Sequence, residues 1–158
     1  MGYNFQEDLK KAEISEMKFY EKAKTYSKYT VEDVRNDKAY QEIDVDFVMT
    51  RKTTGERINI EIKSDDGIAK YGNILLEEIS NRYINSDGWW RKTKADWLLF
   101  YMPQKGYYYK IKVKDIKEYL LVGQYQTKNV FNSVCKLFNI EKFCKWKGIE
   151  KDSLIFMQ

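Results

Sequence analysis

Between residues 42 and 66 the chain reads EIDVDFVMTRKTTGERINIEIKSDD, and apolar and polar positions alternate along two short runs. Side chains of a strand point to opposite faces with a period of two. In the first run Ile43, Val45 and Phe47 fall on one face, with Asp44 and Asp46 on the other. In the second, Ile58, Ile60 and Ile62 share a face and leave Glu61 and Lys63 opposite. The pattern predicts strands over residues 43–50 and 57–63, joined by TTGE, whose glycine suits a tight or bulged hairpin turn.

Upstream the period changes to that of a helix over residues 5–29. Phe5, Leu9, Ala12, Tyr20 and Ala23 lie on one side, with Met17 at its edge. Glu13 and Glu16 fall inside the same stripe. A carboxylate on a buried helix face is costly unless paired or metal-bound, so these two need a partner or the edge of a cleft. Downstream, SDDGIAKYG has the composition of a loop. NILLEEIS (73–80) fits strand or helix, with strand favoured, and NRYINSDGWWRKTK is a connection with room for a short helix. ADWLLFYM (95–102) is a buried strand stopped by Pro103 and paired through PQKG with GYYYKIKV (106–113), and KDIKEYLL (114–121) is helical. One or two short helices and a last strand, SLIFM, are expected after that. The sum is an α/β protein with a single domain over 1–158, its core at about 5–121 and an extension at about 122–158.

Composition removes whole classes of chemistry. The chain has no histidine and two cysteines, Cys135 and Cys144. Ordinary zinc sites, Ser-His-Asp triads and Cys-His nucleophiles are therefore excluded. An enzyme built from these residues must use carboxylates, lysines, tyrosines and a hard cation, magnesium or manganese. No apolar run is long enough for a membrane helix, and the acidic, helical N-terminus does not resemble a signal peptide. The Met-Gly start lacks the Ser or Thr of a myristoylation signal, because Gln6 is there. The expectation is a protein of the cytoplasm with free thiols.

The net charge of +4 is small, but it is unevenly spread. Residues 42–66 hold seven acidic and four basic side chains, whereas residues 82–114 hold eight basic ones against Asp87 and Asp96. An acidic cluster beside a basic band suits a metal-dependent enzyme acting on a polyanion, and a solvated lysine-rich surface is the simpler alternative. Within and beside the band, Lys70, Arg82, Trp89, Trp90, Arg91, Lys92 and Lys94 are candidates for nucleic-acid contact. Aromatics among cations can stack on bases and hold phosphates, although one tryptophan in the core with the other as its lid is the favoured explanation of the pair.

Folding the hairpin about Thr53–Gly55 brings Asp46 across from Glu61 or within one pair of it. Carboxylates that close repel unless a cation lies between them. Asp46, Glu61 and the backbone carbonyl of Ile62 would offer magnesium one oxygen face and leave the other open. Lys63 projects to the same side, where its ammonium would orient water or offset charge on an attacked phosphate. An exposed salt-bridge ladder with no ligand is the plain alternative. Asp46 followed by Glu61-Ile62-Lys63, preceded by a helix and carried on a hairpin, resembles the signature of the PD-(D/E)xK nuclease superfamily. That group includes many restriction endonucleases and archaeal Holliday-junction resolvases. The resemblance covers residues 5 to 113, and YGNILLEEIS…GWW…KADWLLFY is similar to phage-type members. It implies a restriction-endonuclease-like fold, a central mixed β-sheet flanked by helices. It further implies a magnesium-dependent DNA endonuclease acting on duplex or branched DNA, with room for a homodimer. Asp46 and Glu61 would be metal ligands, Lys63 the catalytic lysine, and Glu13 or Glu16 the helix carboxylate used by many relatives. Val45 stands where the motif's proline is expected, and Asp44 competes with Asp46 for the aspartate role. A non-catalytic nucleic-acid-binding or assembly protein of the same fold is the rival.

Overall fold

The computed structural model describes residues 4–158, so expectations for residues 1–3 lie outside the described residues. Helix α1 (Phe5–Ala23) starts where Asn4 accepts a hydrogen bond from the Glu7 amide, with Glu7 and Asp8 in the first turn. It is shorter than the 5–29 expected. Past Ala23 the sequence is rich in Thr, Ser and Tyr, which favour extended chain, and strand β1 (Tyr29–Asp33) forms there. A single short turn, α2 (Lys38–Gln41), leads into β2 (Phe47–Arg51). The expected start of that strand at residue 43 is corrected, because Asp44 adopts a left-handed φ of 44° and breaks the alternation. The turn at Gly55 (φ 72°) then feeds β3 (Arg57–Ser64), as the TTGE segment predicts.

After β3 the chain makes a long excursion. The segment expected as a loop is helix α3 (Asp66–Tyr71), capped by Asp65 and stopped at Gly72. Strands β4 (Asn73–Asn81) and β5 (Ser86–Asp87) follow, then a turn of helix, α4 (Trp89–Lys92). The chain returns as β6 (Trp97–Met102), β7 (Tyr107–Lys112) and helix α5 (Val113–Leu121). Beyond residue 122 the expected short helix is α6 (Ile140–Lys147), and an unexpected hairpin of β8 (Gln126–Val130) and β9 (Ser133–Asn139) precedes it. A 3₁₀ turn and the two-residue β10 (Ile155–Phe156) complete the order, the last lying within the expected SLIFM strand.

The architecture is the expected mixed sheet flanked by helices, with one addition. The main sheet has six strands in the order β1-β2-β3-β6-β7-β10. Only β3 and β6 run parallel in it, with Glu61 beside Leu98 and Lys63 beside Phe100. A separate four-stranded sheet, β5-β4-β9-β8, takes in the strand expected at 73–80. Alternation along the main sheet divides the core in two. One face puts Phe47, Met49, Ile60, Ile62, Leu99 and Tyr108 against Phe19 and Ala23 of α1. The other puts Leu98, Phe100, Met102 and Ile111 against Ile74, Leu76 and Phe138 of the second sheet, with Ile116, Tyr119 and Phe143 of the covering helices. In α1 Ala23 is buried as expected, but the rest of the stripe is corrected: Phe19 is buried, while Phe5 and Leu9 are exposed.

Candidate active site

Cross-strand register sets the site. Phe47 lies opposite Ile60, so one step back along β2 brings Asp46 level with Glu61, and the Asp46 amide donates to the Ile60 carbonyl at 2.9 Å. Asp46 Oδ2 accepts from the Ile62 amide at 2.8 Å, which fixes the carboxylate against β3. Two residues on from Glu61, Lys63 leaves the strand on the same side, and its Nζ stands 2.5 Å from Glu61 Oε1. The same ammonium lies 4.7 Å from the centre of the Trp89 ring. Glu61 is only 3 % exposed, which excludes the solvated salt-bridge ladder.

These groups line a cleft of about 670 Å³. Asp46, Glu61, Ile62 and Lys63 meet Asp44 there, with Ala12 and Glu16 of α1 on one wall and Leu75 and Trp89 on the other. Burial pushes the Glu61 carboxyl up to about 8, a rise that Asp46 reinforces and the Lys63 ammonium opposes. Burial likewise lifts Asp46 to about 6, against the pull of the Ile62 amide. Lys63 is held above the ordinary lysine value: burial lowers it, but the charge of Glu61, its hydrogen bond, and Asp46 and Asp44 outweigh that. Glu61 Oε2 is buried with no hydrogen-bond partner. A buried orphan oxygen beside a second carboxylate, both resisting ionisation, is short of positive charge. A hard divalent cation meets that need, so the donor set fits magnesium or manganese. Among the described residues no three acidic or sulfur side chains form a ready cage, so water or substrate oxygens would complete the coordination.

The expected site residues divide clearly. Asp44 lines the cleft, but its Oδ2 lies 3.4 Å from Lys92 Nζ. Glu16 reaches the cleft and is clamped at 2.9 Å by Arg35, which also holds Asp33 at 2.7 Å. Glu13 is exposed and outside the cleft. Trp90 is a core residue at 6 % exposure, whereas Trp89 forms the cleft wall, so the pair is part core and part surface. Arg91 is engaged by Glu78 and Asp87. Lys70 and Arg82 are exposed over Tyr71 and Tyr83, away from the cleft, and Lys94 is exposed with its amide on the Ile43 carbonyl. Three residues were missed from sequence: Arg35, and the pair Lys11–Asp66, whose 2.7 Å contact spans α1 and α3 at the cleft. Only the buried carboxylate of Glu16 pointed towards a partner such as Arg35.

No family model and no curated protein matches this sequence. Among solved structures, the chain is similar to a bacterial homing endonuclease, I-Ssp6803I, at a TM-score of 0.46 and 17% identity, over 88% of this chain and 78% of that one. It is also similar to a nuclease from a fusselovirus, at a TM-score of 0.42 and 12% identity, over 83% of this chain and 78% of that one. At these scores neither likeness assigns a role to any residue. No helix among the described residues is long and apolar enough to cross a membrane.

Proposed function

We propose that the protein is a metal-dependent DNA endonuclease of PD-(D/E)xK type, hydrolysing a phosphodiester with magnesium or, in its place, manganese. The observation that carries this reading is Glu61, buried at 3 % exposure, with one oxygen on Lys63 and the other orphaned beside Asp46 on the floor of an open cleft. A purely structural ion pair needs no such cleft and leaves no oxygen unpaired.

Asp46 and Glu61 would hold the cation, with the backbone carbonyl of Ile62, next after Glu61 on the chain, as a further oxygen and Glu16 at the wall. When bound, magnesium supplies Lewis acidity and lowers the pKa of a coordinated water. Asp46 is kept in place by the Ile62 amide, so its carboxylate does not swing away when substrate enters. Lys63, held between Glu61 and the Trp89 ring, presents a fixed positive charge to an attacked phosphate as negative charge builds on it. Trp89 also forms that wall of the cleft.

Cleavage of supercoiled plasmid and of branched and linear duplexes with magnesium, manganese or a chelator tests the proposal. Wild type should cut only with metal, and Asp46→Asn and Glu61→Gln should not cut. DNA binding without cleavage in any metal would replace the enzyme by a binding module.

A further inference from the structure

The cleft touches the second sheet at Leu75. Leu75 stands opposite Leu137 on β9, and Leu137 opposite Gln126 on β8. Side chains in register across neighbouring strands share a face, so one strip runs from the cleft to the edge of the second sheet. At its outer end lies a shallow pocket of about 400 Å³, lined by Asn73, Gln124, Gln126, Leu137 and Lys142 among others. Lys142 is the one charged side chain in that lining. The side chains of Asn73, Gln124, Gln126 and Lys142 make no hydrogen bond or ion pair with the rest of the described protein. Along β8 itself Gln126, Thr127, Lys128 and Asn129 are all exposed. Edge strands are commonly blunted by charge or proline; this one carries a single lysine among neutral hydrogen-bonding groups.

We propose that this strip reads base edges of duplex DNA held in the cleft, with Gln124, Gln126 and Asn73 as the reading side chains and Lys128 and Lys142 on phosphates. This rests on the nuclease reading and adds sequence preference to it. A primary amide presents an acceptor and two donors, the complement of the adenine edge in the major groove. Strands can enter that groove as well as helices. A surface bearing amides and lysine but lacking a carboxylate in its pocket matches a polyanion that displays base edges, not a basic or apolar partner. Geometry sets the distance. Three strands spaced about 4.8 Å apart span roughly 10 Å, which is about three base pairs at about 3.4 Å each. Counted from Leu75 at the cleft wall, the preference should therefore fall on an adenine at least about three pairs from the cut bond.

The test is sequencing of the ends produced when wild type with magnesium digests a randomised duplex library, beside Gln124→Ala/Gln126→Ala and Gln126→Glu. Wild type should favour adenine near that position by about five-fold or more, the discrimination of one bidentate amide contact. The double variant should lose the preference while still cleaving the library. Gln126→Glu should move it towards cytosine, whose amino group donates to a carboxylate. End profiles unchanged in both variants overturn the inference and leave the nuclease standing, as does wild-type cleavage with no preference at all. No cleavage by wild type overturns both.

Discussion

Glu61→Gln gives the sharpest quantitative test of the buried pair. The Glu61 carboxyl is pushed up to about 8 from an ordinary 4.5. At about 1.4 kcal/mol for each pH unit, ionising it in the cation-free fold costs on the order of 5 kcal/mol. Between pH 4.5 and about 8 the folded state holds a proton that the unfolded state has released, so the cation-free protein loses stability as pH rises through that window. Asp46, lifted to about 6, adds a fall in the same direction at lower pH. Lys63 does not offset it. Its raised value means that its stabilising contribution is present below the ordinary 10.5 and lost only above the window. Urea unfolding in chelator at pH 5.5 and pH 8 should show wild type losing about 3 kcal/mol more than Glu61→Gln between the two conditions. Magnesium should restore wild type at pH 8, stabilising by about 2.7 kcal/mol at a hundredfold excess over its Kd, and do less at pH 5.5, where protons compete. Equal losses in the two proteins, or equal magnesium effects at the two pH values, would refute the account of a proton standing in for a cation.

Lys63→Ala should keep manganese binding by calorimetry and DNA affinity within a few-fold, yet lower cleavage by about 10²–10³, the cost of one preorganised charge; an unchanged rate would remove Lys63 from the chemistry. Asp44→Asn should leave cleavage within about an order of magnitude, because Asp44 is turned to Lys92; its loss alone would exchange the roles of Asp44 and Asp46. Gly88→Ala should lower stability in thermal melts by about 1–3 kcal/mol, since its new Cβ would stand 2.4 Å from the Glu77 carbonyl oxygen and press β4 away from α4.

The hairpin that carries the site was legible because its chemistry and its period agree: Ile58, Ile60 and Ile62 fix the buried side of β3, so Glu61 and Lys63 must share the other. That this other side is also enclosed was not legible. It depends on Leu75, Trp89 and Phe100, which reach the cleft from distant positions. The missed strand β1 reflects a conflict, since the amphipathic period of α1 overlaps the Tyr-Thr-Val alternation that follows it. The hairpin β8–β9 was hidden because Gln126 to Asn129 are polar on both faces, leaving no alternation to detect. Asp46 could be preferred over Asp44 from hairpin spacing, but the left-handed backbone at Asp44 that separates them physically has no sequence signature here.

The lone parallel pairing of the main sheet, β3 with β6, has a consequence for how the molecule is assembled. A parallel pair cannot close through a tight turn, and the excursion between these strands carries α3, β4, β5 and α4. Strand β4 in turn waits for β9, whose residues come much later, and Leu98 and Phe100 are covered only when Ile74, Leu76 and Phe138 are in place. Contacts so far apart in sequence form late in folding. A ribosome releasing this chain would therefore expose Asp46, Glu61 and Lys63 before the Leu75 and Trp89 wall of their cleft has emerged, and the strand that carries Leu75 would be pinned only when β9 pairs with β4.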